Sequence, residues 1–436
     1  MIKTVHYSEI DFFKLRSNIN DALMEVIDYV QKIVEDVKNR GDRAVIEYSL
    51  KFDQVDIRKA GIKVSEEEVQ NAYKKADPRI IETLREASVN IKKYHERQIN
   101  LSWLDCENGS IWGRLVRPLQ RVGIYVPGGT ASYPSSVLMN GIPAIVAGVE
   151  EIVMISPPNR NGELSPYTLI AAWELGIKEI YKIGGAHGIA ALAYGTETIK
   201  PVLKITGPGN IYVTAAKKLV FGKVDIDMLA GPSEIFIIAD SSANPKFIAA
   251  DMLSQAEHDE HSSAILATPD GRLAEEVKLE ICQQLKGLPR EKIAMKSIEN
   301  NGLIVITDDI LEAVQAANDF APEHLEIMVG EPLHLLGQIK TAGTVFIGPY
   351  TPEPVGDYWG GTNHILPTGG TARFASPLGV EDFVKYIGVL GYEKEKLYKD
   401  GEKIASFAKA EGLDAHARAV LIRLRDGDGN EKGWQN

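Results

Sequence analysis

The sequence predicts an α/β protein built on two parallel-sheet domains, with small helical extensions at its N- and C-terminal ends. Two observations carry this prediction. Short apolar strands alternate with helical stretches from Arg121 to Phe221, and a second alternating stretch runs from Glu234 to Ile347. Because a parallel crossover needs a connecting segment that is usually a helix, such alternation is typical of parallel sheets.

The first hundred residues have helical spacing. Apolar side chains recur every three or four positions over residues 23–37, and Gly41 stands where that helix is expected to end. Ser65 and Glu68 form a capping-box pattern, which predicts a second helix that runs towards Tyr94.

The predicted strands follow in two groups. They are residues 122–126, 151–156, 179–183 and 202–205, then 234–239, 263–268, 303–307, 325–329 and 345–347. From Val380 onward the spacing is helical again. Pattern shifts near 18, 124, 235 and 379 predict an N-terminal helical extension (1–17), segments 18–124, 125–235 and 236–378, and a C-terminal helical part (379–436). Segments 18–124 and 236–378 are expected to form one discontinuous domain.

Composition excludes several classes of protein. A net charge of −12 over 436 residues argues against a duplex nucleic-acid binder, which needs a basic surface. The apolar run 142–149 is far shorter than the roughly 20 residues that span a bilayer, and the N-terminus lacks a signal-peptide pattern. With only two cysteines, Cys106 and Cys282, neither a disulfide framework nor a thiolate zinc site is indicated. We expect a cytoplasmic protein without membrane or nucleic-acid partners.

Three glycine-rich turns each join a predicted strand to a helix: Pro127–Thr130, Gly184–Gly188 and Gly207–Asn210. Glycine allows a close approach of the backbone to a ligand, and the helix N-terminus that follows favours a phosphate. Each turn alone fits an ordinary tight turn, since turns select glycine. Three in succession favour a nucleotide site, although none is a complete dinucleotide fingerprint.

Metal-ligand residue types are scattered along the second half of the chain. Gln255 and His258, three positions apart, project from one helix face. Zinc accepts imidazole nitrogen and carboxylate oxygen, and further donors of these types are Glu323, His324, Asp357, His364 and His416. Capped or buried histidines fit the same pattern, so residue type alone leaves the site open.

Two short segments have the residue types of proton transfer and ligand binding. Glu323 and His324 follow Pro322, and both side chains could reach one cavity if the segment is a bent turn. An exposed acid beside a backbone-capping histidine is the alternative. Residues 356–364 read Gly-Asp-Tyr-Trp-Gly-Gly-Thr-Asn-His, which favours a ligand-binding loop over a long structural turn.

Six strings, in order along nearly the whole chain, resemble the motifs of the histidinol dehydrogenase family. They are Arg121–Gly129, Gly207–Asn210, Ala230–Glu234, Gln255–His258, Ala321–Glu326, and Gly356–Tyr358 with Thr362–Thr368. The resemblance implies two incomplete Rossmann-like domains, with NAD bound by 125–235 and a catalytic domain formed by 18–124 and 236–378. It also implies a homodimer in which the C-terminal part 379–436 crosses over to the partner.

The activity implied is the oxidation of L-histidinol to L-histidine through L-histidinal, the last steps of histidine biosynthesis. The reaction would use two NAD per histidinol, and each subunit would hold one Zn²⁺. Glu323 and His324 would be the proton acceptors. The implied zinc ligands are Gln255, His258, Asp357 and His416. The implied substrate contacts are Ser233, Gln255, His258, His324, Asp357, His364, Glu411 and His416, and the implied NAD contacts are Tyr125, His187 and Asn210. Glu411 and His416 are expected to complete the partner's site.

The chain departs from the family pattern in two places. His187-Gly188 stands where the family commonly has Gln-Ala, and Trp359-Gly360 replaces residues that are often smaller or apolar. Two alternatives stay open. One is a dehydrogenase of the same fold that acts on another small diol or hydroxy acid. Glu411 and His364 argue against it, because both would suit a substrate with an imidazole ring. The other is a non-catalytic binding protein, which the Glu323–His324 pair disfavours.

Overall fold

The computed structural model describes residues 2–12, 18–128 and 132–425. The chain divides into two compact units, a larger one of Met1–Ile99 with Leu119–Phe383 and a smaller one of Asn100–Pro118 with Val384–Asn436. Part of the predicted N-terminal extension lies outside the described residues, as do Gly129 and Thr130 of the first glycine-rich turn. None of the described helices has the length and apolar character that a bilayer crossing requires.

Strands and helices alternate through most of the larger unit. The strands are β1 (Lys3–His6), β2 (Trp103–Glu107), β3 (Ser110–Pro118), β4 (Arg121–Tyr125), β5 (Glu151–Ile155), β6 (Glu179–Tyr181), β7 (Lys204–Thr206), β8 (Asp225–Ile226), β9 (Glu234–Ala239), β10 (Ser263–Thr268), β11 (Gly302–Ile306), β12 (His324–Met328), β13 (Thr344–Ile347) and β14 (Val384–Tyr392). The helices are α1 (Asn18–Arg40), α2 (Asp42–Phe52), α3 (Ile57–Ala60), α4 (Glu66–Lys75), α5 (Pro78–His95), α6 (Pro134–Ala147), α7 (Pro166–Glu174), α8 (Gly185–Tyr194), α9 (Ile211–Val220), α10 (Pro245–Ala256), α11 (Gly271–Gln284), α12 (Glu291–Asn301), α13 (Ile310–Phe320), α14 (Glu353–Tyr358), α15 (Lys394–Ala410) and α16 (Asp414–Arg425).

Two parallel sheets organise the larger unit. The first has the spatial order β6-β5-β4-β7-β8 and the second the order β1-β11-β10-β9-β12-β13. Leaving aside the edge strand β1, each sheet places the first strand of its group in the centre, the next two on one side and the last two on the other. This is the Rossmann order 3-2-1-4-5-6 without its sixth strand. The predicted class, α/β with two incomplete Rossmann-like sheets, is confirmed.

The first described residues differ from the predicted helical extension, because Lys3–His6 form a strand. This strand, β1, lies parallel to β11, with Thr4 opposite Ile304 and Val5 opposite Val305. Thr4 and Val5 are β-branched, which favours an extended conformation at a sheet edge.

The N-terminal helices pack on the first sheet, and α5 also shares its buried cluster with Ile365 and Leu378 of segment 236–378, with which segment 18–124 was expected to form one domain. Val30 of α1 belongs to the same buried cluster as Ile155 of β5, and Ile91 of α5 belongs to the same cluster as Ile124 of β4. Hydrophobic periodicity identifies the apolar face of a helix but not the sheet that covers it. The boundaries expected near 124 and 235 also fall inside strands β4 and β9.

Local capping signals in the N-terminal helices are confirmed. Gly41 follows α1 with a φ of 54°, and Ser65 and Glu68 make both hydrogen bonds of a capping box at the start of α4. The helix predicted to run on towards Tyr94 is interrupted, because Asp77 caps a new helix whose first residue is Pro78. Proline is favoured at that position, where its missing N–H costs no hydrogen bond.

The smaller unit holds an antiparallel sheet of order β14-β3-β2 and the helix pair α15–α16. Its C-terminal part was expected to be helical throughout, yet Val384–Tyr392 form β14. Tyr386 and Ile387, both strand-favouring residue types, lie opposite Val116 and Leu115 of β3. Both side chains are exposed, so the strand lacks the buried face that would have marked it in the sequence.

Candidate active site

Polar groups of the second sheet gather at the amino ends of two neighbouring strands, β9 and β12. Glu234 begins β9 and His324 begins the neighbouring β12. Before His324 the chain bends, since Ala321 adopts a left-handed conformation with a φ of 51° and Pro322 follows. Because of this bend, the adjacent side chains of Glu323 and His324 both contact the backbone of Glu234, as the prediction of a bent turn required.

Hydrogen bonds to the backbone of Glu234 orient the pair. The Glu234 N–H donates to Glu323 Oε2 at 2.9 Å, and His324 Nδ1 lies 3.0 Å from the Glu234 carbonyl oxygen. Because a carbonyl oxygen only accepts, Nδ1 carries the ring proton and Nε2 of the neutral imidazole is an acceptor. Nε2 is buried without a hydrogen-bond partner among the described residues. His324 is therefore set up to take a proton at Nε2.

Burial favours the neutral form of both groups. Burial, with a smaller contribution from nearby imidazoles, lowers the pKa of His324 to about 3. Burial raises the pKa of Glu323 well above its usual range, and neighbouring carboxylates add to this shift. The two side chains are close, with 3.7 Å between His324 Nδ1 and Glu323 Oε2. Burial thus disfavours charge on both side chains, the imidazolium of His324 and the carboxylate of Glu323.

Asp357 lies between two imidazoles. Its Oδ1 is 4.0 Å from Nε2 of His324 and 4.0 Å from Nδ1 of His364. The other ring nitrogen of His364 is 3.5 Å from Ser136 Oγ in α6. Burial raises the pKa of Asp357 to about 6 and lowers that of His364 to about 4.

The segment expected to be a loop from Gly356 to His364 begins instead inside α14. Pro354 stands in the first turn of this short helix, a position that favours helix formation. Trp359 ends the helix and is partly exposed. Asp357 therefore has a helical backbone, and only His364 belongs to the loop that follows.

Nitrogen and oxygen donors converge at Asp357. One ligand atom from each of His324, Glu353 and Asp357 lies within 4.8 Å of the others. Of the four zinc ligands that the resemblance implies, this group contains Asp357 alone.

Gln255 is a separate indication of a ligand. It is fully buried near the end of α10, and neither its amide oxygen nor its amide nitrogen has a hydrogen-bond partner in the described part of the chain. The adjacent Ser254 donates to Glu353 Oε2 at 3.2 Å, so this end of α10 lies against α14. A buried amide oxygen without a donor, near imidazole and carboxylate groups, fits a zinc ion.

The remaining residues predicted to bind substrate or zinc lie in three parts of the chain. Ser233 directly precedes β9, and His258, which is exposed, follows α10. Glu411 and His416 are exposed in the smaller unit, at the end of α15 and in α16. Within the larger unit, the structure brings together the predicted residues Glu323, His324, Asp357 and His364. His258 lies close enough for its charge to contribute to the lowered pKa of His324 and His364, after the larger effect of burial.

The sequence analysis missed Glu353, which is buried in the first turn of α14. Its backbone N–H donates to Glu326 Oε1 at 2.9 Å, and burial raises its pKa to about 8. Glu326 also forms a hydrogen bond with Asp251, so these two buried carboxyl groups lie together next to Glu353. Glu353 stands four positions before Asp357, a spacing that places both on one helix face and that could have indicated it.

A cavity of about 270 Å³ opens beside Asp357. Its walls are mostly apolar and come from α5, α6 and α14, including Leu84, Ile91, Tyr133, Leu138 and Tyr358. Small-molecule sites combine such apolar walls with a few polar groups, which Asp357 supplies here.

At the first sheet, polar and glycine-rich segments lie at the carboxyl ends of the strands. Strand order reverses between β4 and β7, where Rossmann-like sheets bind their ligands. Gly207 follows β7 with a φ of 114°, and a Cβ there would overlap the Tyr125 carbonyl oxygen. Asp227 accepts from the Gly207 N–H at 2.7 Å, and Lys217 Nζ donates to the Gly207 carbonyl at 3.0 Å.

The three predicted NAD contacts lie at this edge. The Tyr125 hydroxyl accepts from the Gly185 N–H at 3.3 Å, and Asn210 caps α9 with its side-chain oxygen. His187 is buried in the first turn of α8, with Nε2 3.2 Å from Ser49 Oγ. The edge therefore offers helix N-termini and closely approaching backbone, which suit a phosphate-bearing ligand.

These features define an α/β enzyme with acid–base groups at the edge of one sheet and a glycine-lined ligand edge on the other. The family model described as histidinol dehydrogenase matches residues 16–424. The chain is 55% identical to histidinol dehydrogenase of Bacillus licheniformis over 95% of this chain and 97% of the relative. Identity to that of Heliobacterium mobile is 50%, over 97% and 100% of the two chains. The crystal structure of histidinol dehydrogenase from Elizabethkingia anophelis superposes with a TM-score of 0.89 at 40% identity, covering 93% of each chain. The chain belongs to the histidinol dehydrogenase family, a family of oxidoreductases.

Proposed function

We propose that this protein oxidises L-histidinol to L-histidine through L-histidinal, with two NAD per substrate, as the last steps of histidine biosynthesis. One observation carries the proposal beyond family membership. His324 has its Nδ1 proton held by a backbone carbonyl and its Nε2 unpaired, directly beside the Glu323 carboxyl group. A buried proton acceptor next to a second ionisable group suits a reaction that deprotonates first an alcohol and then a hydrate.

His324 and Glu323 have distinct roles in this proposal. In the first oxidation His324 Nε2 takes the hydroxyl proton of histidinol. In the second, Glu323 takes a proton from the water that adds to the aldehyde carbon, while His324 returns the proton it holds to the aldehyde oxygen. The neutral His324 then takes a hydroxyl proton of the hydrate as the hydride leaves, and the carboxylic acid that forms loses its remaining proton to solvent. NAD, when bound, accepts the hydride that leaves the substrate carbon in each oxidation. The protein contributes orientation and proton acceptance.

We propose zinc ligation by Gln255, His258 and Asp357 together with His416. The unpaired amide of Gln255 and the donors around Asp357 support the metal. Held by these residues, zinc would supply positive charge beside Asp357 and a Lewis acid for nitrogen groups of the substrate. Positive charge there would oppose the rise in the pKa of Glu323 that burial and, to a smaller extent, the neighbouring carboxylates cause, and so would favour the form of Glu323 that accepts a proton.

Substrate and cofactor contacts follow the family pattern. We assign the substrate to Ser233, Gln255, His258, His324, Asp357, His364, Glu411 and His416, and NAD to Tyr125, His187 and Asn210. The apolar cavity beside Asp357 supports a small substrate, and the glycine-lined edge of the first sheet supports a dinucleotide. Both cysteines are free, which supports the proposed cytoplasmic location.

We also propose a homodimer in which Glu411 and His416 reach the partner's site. The smaller unit supports this with exposed apolar side chains on both its sheet and its helices, including Leu390 at 76% and Phe407 at 70% exposure. Large apolar groups at such exposure mark interaction surfaces. Mixing inactive His324→Ala and His416→Ala chains should restore activity in heterodimers. If chains exchange and no activity returns, each site is made by one chain.

The yield of NADH per histidinol, with and without added zinc, tests the function. Two NADH per histidinol are expected, with reversible loss of activity on chelation. A yield of one with aldehyde accumulating would support a dehydrogenase of another small diol or hydroxy acid. Full activity at negligible metal content would remove zinc from the proposal.

A further inference from the structure

The first sheet lacks an acidic group at a position where Rossmann-like folds usually have one. In such folds a carboxylate at the end of the second strand binds the adenosine ribose and discriminates NAD from NADP. Here the second strand is β5, and its carboxyl end continues as Ser156, Pro157 and Pro158. A carboxylate for the ribose must therefore come from another element.

Asp53 is a carboxylate that reaches this edge from outside the sheet. It directly follows α2, and its Oδ2 lies 3.8 Å from His187 Nε2 in the first turn of α8. It is also close enough to Tyr125 to contribute to the raised pKa of that phenol, after the larger effect of burial. Asp53 thus faces two of the three residues to which we assign NAD.

Both members of the Asp53–His187 pair have unused hydrogen-bonding atoms. Asp53 Oδ2 and His187 Nδ1 are buried and without hydrogen-bond partners among the described residues. The side chain of His187 is only 1% exposed, and the rings of Tyr48 and Phe52 lie 6.1 and 6.0 Å from its own. Buried polar atoms in native proteins are normally paired, so these two point to a ligand.

The backbone next to Asp53 is unusual as well. Gln54 has a φ of 60°, one of three non-glycine residues with a positive φ in the described part of the chain. Such a conformation costs of order 1 kcal/mol and persists where the surroundings impose it, often at binding sites. The positive φ of Gln54 turns the chain immediately after Asp53 and so helps to set the direction of the Asp53 side chain.

We propose that Asp53 accepts hydrogen bonds from the adenosine ribose hydroxyls of NAD and excludes the 2′-phosphate of NADP. This inference rests on the proposed use of NAD. A carboxylate gains charge-assisted hydrogen bonds from a diol and repels a phosphate at the same place. Lys51, whose Nζ lies 5.3 Å from the centre of the Phe52 ring, is a cation that a 2′-phosphate could use once the carboxylate is removed.

Binding of NADH and NADPH, titrated by nicotinamide fluorescence on the purified full chain, tests the inference without turnover. The variants are Asp53→Asn, which keeps the shape, and Asp53→Ser, which removes the carboxylate with a smaller side chain. Glu67→Gln, an exposed carboxylate in α4, is the control for the same change in net charge. Wild type should bind NADH more tightly than NADPH. Each Asp53 variant should reduce the ratio of the NADH affinity to the NADPH affinity by about tenfold or more, while the control leaves this ratio unchanged.

The ratio of the two affinities decides the outcome. An equal loss for both cofactors, an unchanged ratio, or a wild type without preference for NADH overturns the role of Asp53. Turnover of histidinol with NAD by wild type, measured alongside, separates this outcome from failure of the proposed function. A narrowed ratio without histidinol turnover would keep Asp53 as the selector and reject the substrate, and a wild type that binds neither cofactor rejects both proposals.

Discussion

The two parallel sheets share one strand order, yet their polar groups lie at opposite edges. In the first sheet they lie at the carboxyl ends of β4 and β7, where Tyr125 and Gly207 approach each other. In the second they lie at the amino ends of β9 and β12, where His324 and Glu323 contact the backbone of Glu234. A shared topology therefore does not determine which edge of a sheet is used.

Helix direction explains the difference. Helices that connect parallel strands begin at the carboxyl edge and end at the amino edge. Their N-termini carry positive partial charge and suit phosphates, whereas their C-termini carry negative partial charge and suit cations. At the second sheet, α10 ends next to Gln255 and α13 ends before Glu323. The edge that we assign to the dinucleotide has helix starts, and the edge that we assign to zinc and proton transfer has helix ends.

The largest effect is expected from Glu323→Gln at the second sheet. The variant keeps the shape of the side chain, so oxidation of the aldehyde should fall by about 10²–10⁴-fold, with a smaller loss for the alcohol. Separate assays starting from histidinol and from histidinal measure the two steps. Glu331→Gln, exposed beyond the other end of β12, is the control, and equal losses in both steps would contradict the role given to Glu323.

At the first sheet we expect loss of stability instead. Asp227 and Lys217 form an almost fully buried ion pair beside Gly207, and Asp227→Asn leaves the lysine charge without its partner. Removing one member of such a pair costs about 3–5 kcal/mol. Urea unfolding measures this loss in the free energy of unfolding. The control is Asp225→Asn, whose carboxylate is half exposed and whose free energy of unfolding should stay within about 1 kcal/mol of wild type. Similar stabilities for both variants would show that the pair does not hold the turn.

Gly207→Ala should have a smaller effect that combines stability and binding. The φ of 114° and the overlap of a Cβ with the Tyr125 carbonyl require the turn to shift, at a cost of about 1–3 kcal/mol. NADH affinity should fall along with the melting temperature. At Gly271, which has an ordinary φ and nothing within 4 Å of an added Cβ, alanine should be harmless. Unchanged NADH binding by Gly207→Ala would separate this turn from the cofactor.

The smallest effect is expected from Asp251→Asn, behind the second sheet's site. Burial raises the pKa of Asp251 from 3.8 to about 6. The folded state therefore binds this proton more tightly than the unfolded chain, and stability falls as the pH rises through that interval. Asn removes this dependence, so stability at pH 7 should stay the same or rise by about 1 kcal/mol. Unfolding curves between pH 3.5 and 7.5, compared with exposed Asp259→Asn, measure the change; a less stable variant at pH 7 would mean that the carboxylate is needed.

Much of the fold could be predicted because local signals agreed with the final structure. Alternation predicted both sheets, and Gly41 and Ser65 marked helix ends that the structure confirms. The errors concern long-range pairing. Strand β14 has exposed side chains on both faces, so no alternation marks it, and the apolar face of α1 does not specify its sheet.

For the site, the sequence predicted residue types but not how they are held. Adjacent Glu323 and His324 were ambiguous until the left-handed Ala321 showed how the chain bends. Glu353 could not be singled out from the sequence, because its role depends on the contact between α10 and α14. That contact, seen in the hydrogen bond from Ser254 to Glu353, joins residues 99 positions apart.

The hydrogen bonds that orient Glu323 and His324 end on the backbone of Glu234 rather than on its side chain. In mutational terms, the orientation of the proton acceptors is insensitive to most amino acids that could replace residue 234. Proline is the exception, because it has no N–H to donate to Glu323. A substitution at residue 234 would therefore act through its own buried side chain, which accepts a hydrogen bond from the Gly369 N–H at 3.2 Å, and would leave the imidazole tautomer of His324 preserved.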